Sequence, residues 1–490
     1  MDFKIGFFCK ILNFFELFVC FFFSNHCFSA TFVSFYNFAF SECKQTLTTK
    51  VHNMKKKNTL IAMAMFVSCA EVWGSGFQIL EQGASNLGTA LAGAVVNTNN
   101  DATAAYWNPS AAFFVESENK LDVAISIIYP KMQSHITATH TSPYQPGTNI
   151  PTPGINDNAG KLAVVPNAYY VRKFGERFAG TLSITSPFGL ATQYDEEGNF
   201  IGRYDGINSD IQTIQINPSL AYKVNDWLSV SVGASADYIH AELTSYTFIP
   251  QTGFPYDGID ARTRMDASGW SGSFNVGATA KFLETGRFGI SYRYQIKHDV
   301  DGYTSTSNPM FGIASRQDIS AKVTLPSNLN IGASYKFRDD FWNQFTVMAA
   351  YTFTWWSSFK NLDIINSDTG AMVHHTAENW RNTHRASVGI AYEPDWNKDL
   401  TLRVGAAFDQ SPVRNAKFRT VRVPDTNRVW ATCGLGYKIG NMNFDIAYMH
   451  IFFDDANINN TQNHAYSSST IKGYYTGCAH VVSMQFGVKW

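Results

Sequence analysis

Charge is scarce in this 490-residue chain: Asp, Glu, Lys and Arg together make up 16% and nearly cancel, leaving a formal net charge of -1. A soluble protein usually carries about 25% charged residues. Without a basic stripe to displace counterions, nucleic acid is excluded as a partner. Long apolar runs are missing too, and a mean hydropathy of -0.15 excludes a bundle of transmembrane helices. Seven cysteines occur, but Cys9, Cys20, Cys27, Cys43 and Cys69 precede the expected mature chain. Cys433 and Cys478 remain, with no CxxC or CxxxH spacing, so neither a disulfide framework nor a metal site is expected, and no cofactor. Both sit at outward strand positions, as small apolar side chains. No GxSxG is present and the histidines fall mostly in loops (His374, His375, His464), so no activated nucleophile is recognisable and no enzyme is expected. What the chain has in quantity is aromatic side chains, at 15%, and 35 glycines. Low charge, many aromatics and middling hydropathy fit strands with one face in lipid and the other in water.

The amino-terminal region is misleading. Residues 1–53 are crowded with phenylalanine, as in Phe21-Phe22-Phe23, but Lys4, Lys10 and Glu16 interrupt any apolar span. A second start appears at Met54, where Lys55-Lys56-Lys57 precede a short apolar core from Leu60 to Val67, with small residues near Gly74. This is the layout of a secretory signal. Residues 1–53 are therefore expected to lie upstream of the true start, 54–74 to be a signal peptide, and export to follow. A lipoprotein signal ending at Cys69 is weakened by Phe66, which stands where leucine is expected.

From Leu121 onward the pattern has period two. Leu121, Val123, Ile125, Ile127 and Tyr129 alternate with Asp122, Ala124 and Ser126; Leu228, Val230, Val232 and Ala234 alternate with Ser229, Ser231 and Gly233; Leu400, Leu402, Val404 and Ala406 alternate with Thr401, Arg403 and Gly405. The minority face carries Ser, Thr, Gly and Asn, which suits a crowded aqueous lumen. About fourteen such segments occur, an even number as closed bacterial barrels require. Short turns at 174–177, 225–227, 284–287 and 440–442 alternate with long connections at 244–268, 302–318, 363–378, 411–427 and 454–475, as in outer-membrane barrels. Val482, Met484, Phe486 and Val488 lead to terminal Trp490, which looks like the sorting signal read by the barrel-assembly machinery. The fold expected is all-β: a 14-stranded antiparallel transmembrane barrel over residues 116–490. Residues 75–115 break the alternation, with small helical stretches and Ser85 as a candidate N-cap for 86–95. Their economical place is inside the barrel, as a hatch.

Ordered motifs then resemble the FadL/TodX family of outer-membrane hydrophobe transporters. Gly76-Phe77-Gln78, Glu81-Gln82-Gly83-Ala84-Ser85 and Leu87-Gly88 resemble its mature start. The run from Asp101 to Asn108-Pro109-Ser110 is similar to its hatch motif, which normally ends Asn-Pro-Ala. Ser186-Pro187-Phe188-Gly189-Leu190-Ala191-Thr192 resembles its third-strand segment, and Trp380-Arg381-Asn382-Thr383, Asp409-Gln410-Ser411-Pro412, Arg419-Thr420 and Pro424-Asp425-Thr426-Asn427-Arg428-Val429-Trp430 follow in order. The resemblance covers nearly everything after Ser75. It implies capture of a ligand near the extracellular loops, transfer to an apolar pocket beside the hatch, and exit sideways where the third strand is kinked, with no energy source beyond a gradient.

Independently of that resemblance, Pro187 removes a ladder donor in mid-strand and Gly189 adds backbone freedom, so Ser186 to Gly189 are candidates for a wall opening or for a plain strand end. Gly76, Phe77, Glu81, Gln82, Asn108, Pro109 and Ser110 are the candidate hatch residues, with a turn at Asn108-Pro109 as the bland reading. Tyr246, Phe248, Phe254, Tyr256, Met310, Phe311 and Ile313 offer apolar side chains for ligand capture, or for packing into a cap. Arg293, Lys297, Arg385 and Arg403 read as lumen-facing; any of them can meet a carboxylate headgroup, or pair with Asp237, Asp409 or Asp445. The cargo expected is a long-chain fatty acid, taken up by a monomer seated in outer-membrane lipid. Rival readings are an aromatic-hydrocarbon channel of the same family, an open porin for polar solutes, a barrel lipase, and a surface adhesin.

Overall fold

The computed structural model describes residues 75–490 apart from 146, 252–257 and 340–341. The expected upstream segment, the signal peptide, its five cysteines, and the loop residues Phe254 and Tyr256 lie outside these. Among the described residues no helix is long and apolar enough to cross a membrane.

Period-two patterning produces fourteen spanning strands, here β1 to β14. They are β1 (Asn119–His140), β2 (Ala163–Phe174), β3 (Phe178–Thr185 with Gly189–Gln193), β4 (Asn208–Lys223), β5 (Leu228–Pro250), β6 (Gly258–Phe282) and β7 (Gly286–Arg293 with Ile296–Asn308). There follow β8 (Ile313–Leu325 with Asn328–Lys336), β9 (Phe345–Thr354 with Asn361–Asn366), β10 (Met372–Ala377 with Thr383–Tyr392), β11 (Leu400–Asp409), β12 (Arg428–Ile439), β13 (Met442–Phe453 with Ala456–Asn463) and β14 (Ser468–Lys489). All pairings are antiparallel, and β1 against β14, from Lys120↔Lys489 to His140↔Ser469, closes the barrel and abolishes the open edge.

Outward positions are apolar and inward ones small or polar. On β1, Leu121 and Ile125 are exposed while Asp122 and Ser126 are fully buried. At the short turns and strand ends, exposed Phe174, Phe178, Trp227, Trp396 and Trp490 bring aromatic rings to one end of the wall, with Trp490 stacked on Tyr170 at 6.1 Å.

Two sequence expectations are corrected. Much of the long connections at 244–268 and 302–318 is not loop but strand: β5 pairs with β6 as far as Pro250↔Gly258, and β7 with β8 as far as Asn308↔Ile313. Over much of these extensions both faces are exposed or half-buried, and cross-strand ion pairs such as Arg264 with Glu242 at 3.0 Å join the strands. Ser85 is not an N-cap. The helix is one turn, α1 (Ala84–Leu87), it contains Ser85, and the hydroxyl instead donates to Asp101 Oδ2 at 2.6 Å.

Candidate functional site

Residues 75–115 lie within the ring of strands, and nearly all are buried. The wall receives their backbone where it carries glycine. A Cβ at Gly405 would come 2.3 Å from the Thr89 carbonyl carbon, at Gly389 2.7 Å from Thr89, at Gly289 2.7 Å from the Val95 oxygen, and at Gly434 2.9 Å from Gly88. These glycines on β7, β10, β11 and β12 let main chain approach main chain, which no other residue permits.

The remaining contacts are polar. Asn108 Nδ2 donates to Val95 O (3.0 Å), Ala278 O (3.2 Å) and Thr279 Oγ1 (3.0 Å). Pro109 opens a 3-10 turn after the short helix α2 (Ala104–Trp107). The serine at 110, where the family pattern has alanine, bonds Asn108 Oδ1 at 2.7 Å and lies 2.6 Å from Thr279 Oγ1. Glu81 O accepts from Ser126 at 2.9 Å, and its carboxylate takes the Leu80 N–H.

At the amino-terminal end of this segment, Phe77 stands inside an aromatic cage. Its ring lies 4.9 Å from Trp356, 5.5 Å from Trp380, 5.6 Å from Phe359 and 6.2 Å from Phe188. Leu190, Ile239, Val300 and Leu325 extend the apolar surround. Gly76 has φ +66, and its N–H donates to Asp425 Oδ2 at 3.1 Å. Asp425 and Asp409 flank the fully buried Arg428, at 3.4 and 2.9 Å. The Trp380 indole donates to Glu378 at 2.8 Å, and burial pushes that carboxyl up to about 7.

Phe188 connects the cage to β3, which is interrupted between Thr185 and Gly189. β2 pairs with β3 only from Phe174↔Phe178 to Ala168↔Ile184, and above that Ala163 to Asn167 pair with β1 alone. The upper piece of β3 pairs only with β4, apart from one bridge, Gly160↔Thr192. The missing rungs are replaced by the amino-terminal segment: Ile79 N–H donates to Pro187 O (2.9 Å), Gly189 N–H to Phe77 O (2.8 Å), and Gln82 Nε2 to Ser186 O (3.2 Å). Sequence reading singled out both partners of this contact but not their meeting.

Three of the four expected cationic residues meet wall and amino-terminal groups, Arg403 pairing with Asp445 as one of the two readings had it. Arg293 donates to Gln215 (2.9 Å), Asn217 (3.1 Å) and Tyr106 O; Arg385 to Ala90 O (3.3 Å) and Thr352 (2.9 Å); Arg403 to Asn99 (3.0 Å) and Asp445 (2.7 Å). Each of these three therefore bonds a residue of the segment 75–115. Lys297 is exposed, contrary to its expected inward parity, while His298 and Val300 are buried. The irregular residues 294–295 between the two parts of β7 shift the alternation by one, which reverses every side chain beyond them. Arg422 was missed because it lies in an irregular connection without periodicity. It is half-buried between buried Val421 and Val423, bonds Asn208 O (2.9 Å) and Ser209 Oγ (3.0 Å), and desolvation draws it down to about 10 against the pull of nearby Asp205 and Glu378.

Of the expected capture residues, Phe248 is buried against His140 at 4.8 Å, and the Tyr246 hydroxyl bonds Glu196 O at 3.2 Å. Ile313 is half-buried, whereas Met310 and Phe311 are exposed. His464 Nε2 meets both Asp205 (2.9 Å) and Ser469 (3.0 Å). One ring nitrogen serves both, whereas a nucleophile relay uses the two nitrogens separately.

The family model described as outer membrane protein transport protein (OMPP1/FadL/TodX) matches residues 65–490. A long-chain fatty acid transport protein of Escherichia coli O6:H1 is 27% identical over 423 residues, spanning 80% of this chain and 90% of that protein. The crystal structure of a Pseudomonas aeruginosa FadL homologue superposes with TM-score 0.74 at 24% identity, covering 84% of this chain and 99% of the other. The Ralstonia pickettii toluene transporter TbuX gives TM-score 0.58 at 20% identity, covering 83% and 98%.

Proposed function

Because the chain belongs to the OMPP1/FadL/TodX family of outer-membrane transport proteins, we propose that it takes up long-chain fatty acids by passive transfer through the wall of its barrel. The observation that carries this reading is the contact between hatch and β3: Phe77 fills an aromatic cage, and its own backbone completes the interrupted strand at Gly189. A hydrocarbon chain that takes the place of the Phe77 ring draws Phe77 to Ile79 away from Pro187 and Gly189. The rungs that the hatch supplied then open beside β2. In lipid such a gap is tolerable only where it lines a cavity. Apolar burial of about 25 cal/mol per Å2 favours cargo over water in the cage, so a gradient suffices. Met310 and Phe311, exposed on their hairpin, are the first apolar contacts for arriving ligand.

Headgroup selection separates fatty acids from aromatic hydrocarbons. Since Arg293, Arg385 and Arg403 are engaged with residues 75–115, the carboxylate is assigned to Arg422, half-buried near the cage, whose own hydrogen bonds go to the Asn208 carbonyl and the Ser209 hydroxyl. The test is uptake of labelled oleate and of toluene by cells lacking their own transporter and expressing the chain from Met54. Oleate uptake above the empty-vector control, with the barrel confirmed in the outer membrane, is the expected result. Toluene uptake without oleate uptake overturns the fatty-acid assignment and leaves an aromatic-hydrocarbon channel.

A further inference from the structure

The lipid-facing side of the wall carries a polar trio that transport does not use. On β13, Tyr448 and His450 share the outward parity of exposed Phe444 and Phe452; on β14, His480 shares that of exposed Met484 and Phe486. His450 and His480 face each other in register. Tyr129 of β1 is opposite His480, with exposed Ile125 and Leu121 below it and exposed Lys131 above. The trio therefore sits at the upper rim of the apolar band. Ionisable side chains on a lipid-facing wall are costly; here Tyr448 and His480 are half-buried, and His450 is buried against Phe452 at 4.2 Å.

Their donor atoms converge. His450 Nδ1 lies 3.3 Å from His480 Nδ1, and the Tyr448 hydroxyl lies 2.7 Å from His480 Nδ1 and 3.5 Å from His450 Nδ1. Two nitrogens bound at 2.0–2.1 Å to a tetrahedral ion stand about 3.3 Å apart. Cys478 Sγ is 3.9 Å from His480 Nε2, the ring nitrogen on the far side from the cluster. A coordinating imidazole uses one nitrogen for the ion and donates from the other to an outer partner, which fixes the ring. Among the described residues no three His, Cys, Asp or Glu side chains form such a group; here the third donor is a phenol.

We propose that His450, His480 and Tyr448 bind one divalent transition-metal ion, Zn(II) or Cu(II), on the outer wall between β13 and β14. Two imidazoles and a phenol oxygen supply three corners of the coordination sphere, and the fourth opens toward the headgroup zone, where water or a lipid phosphate completes it. The ion ties together two neighbouring strands.

The experiment uses the chain purified from outer membranes in detergent, stripped with chelator and titrated with CuCl2 and ZnCl2 by calorimetry, with electron paramagnetic resonance of the copper form. Expected is one tight equivalent per barrel, a spectrum with nitrogen hyperfine structure, and a raised melting temperature. His450→Gln and His480→Gln, separately, should each lose at least about ten-fold in affinity, and Tyr448→Phe should weaken binding and alter the copper spectrum. Each variant is checked as folded by its heat-dependent gel mobility. Undiminished binding in both folded histidine variants moves the ion to other side chains and overturns the proposal, as does the absence of any binding at millimolar metal. If one histidine variant fails to fold, the other and Tyr448→Phe decide.

Discussion

Glu378 shows how much a single group can matter at the cage. Its carboxyl is buried and accepts from the Trp380 indole, and its pKa stands raised to about 7 from the ordinary 4.5. A raised acid favours the protonated folded state, so stability is greatest at low pH and falls as pH rises from the unfolded value through about 7. The loss from this group is on the order of 3 kcal/mol. Glu378→Gln keeps an acceptor for Trp380 without the charge. Its melting temperature should accordingly vary less than wild type between pH 5 and pH 8 (about the span of the shift) and exceed it at the upper end. An equal slope for both proteins would show that Glu378 does not titrate in the fold.

At the scale of elements, the contact between hatch and β3 makes the clearest demand. Replacing Pro187 and Gly189 together by valine restores a ladder donor and strand propensity. A Cβ at position 189 also meets Ile79 Cδ1 at 2.9 Å. The double variant should insert normally yet take up less oleate than wild type; unchanged uptake would place the exit elsewhere. The glycine seat gives a second prediction. Gly405→Val puts side-chain atoms into the Thr89 backbone, and overpacking of this kind costs about 1–3 kcal/mol. Thermal unfolding should shift down accordingly, and planar-bilayer recordings should show leak through a displaced hatch. Valine at Gly312, where nothing lies within 4 Å, controls for loss of glycine alone, apart from the strain of its φ of +66.

For the whole molecule, the question is what the enclosed segment withholds. Barrels of this width leave room for an aqueous lumen unless something fills it. Removal of residues 75–115 should turn a quiet barrel into one with large, steady conductance steps, provided that its gel mobility shows a folded wall. A wall that cannot fold without the segment would instead show that Arg293, Arg385 and Arg403 need their hatch partners for stability.

How far the sequence carried this protein depends on how local the physics is. Alternation between lipid and lumen is read two residues at a time, so fourteen strands, their outward faces and the terminal aromatic were legible. Pro187 marked the interruption because a missing N–H is a property of one residue. The parity of Lys297 failed for the same reason it was attempted: one irregular residue reverses a face, and composition does not mark it. The inward glycines were visible as letters, yet only the hatch backbone against them explains why they are glycine. The cage around Phe77 draws on residues hundreds apart, and the trio of Tyr448, His450 and His480 exists only through register between β13 and β14. Local periodicity thus determined the wall, because a strand in a bilayer has no other way to satisfy both sides. What fills and punctuates the wall was decided by tertiary packing, since the partners that give those residues meaning are distant in the chain.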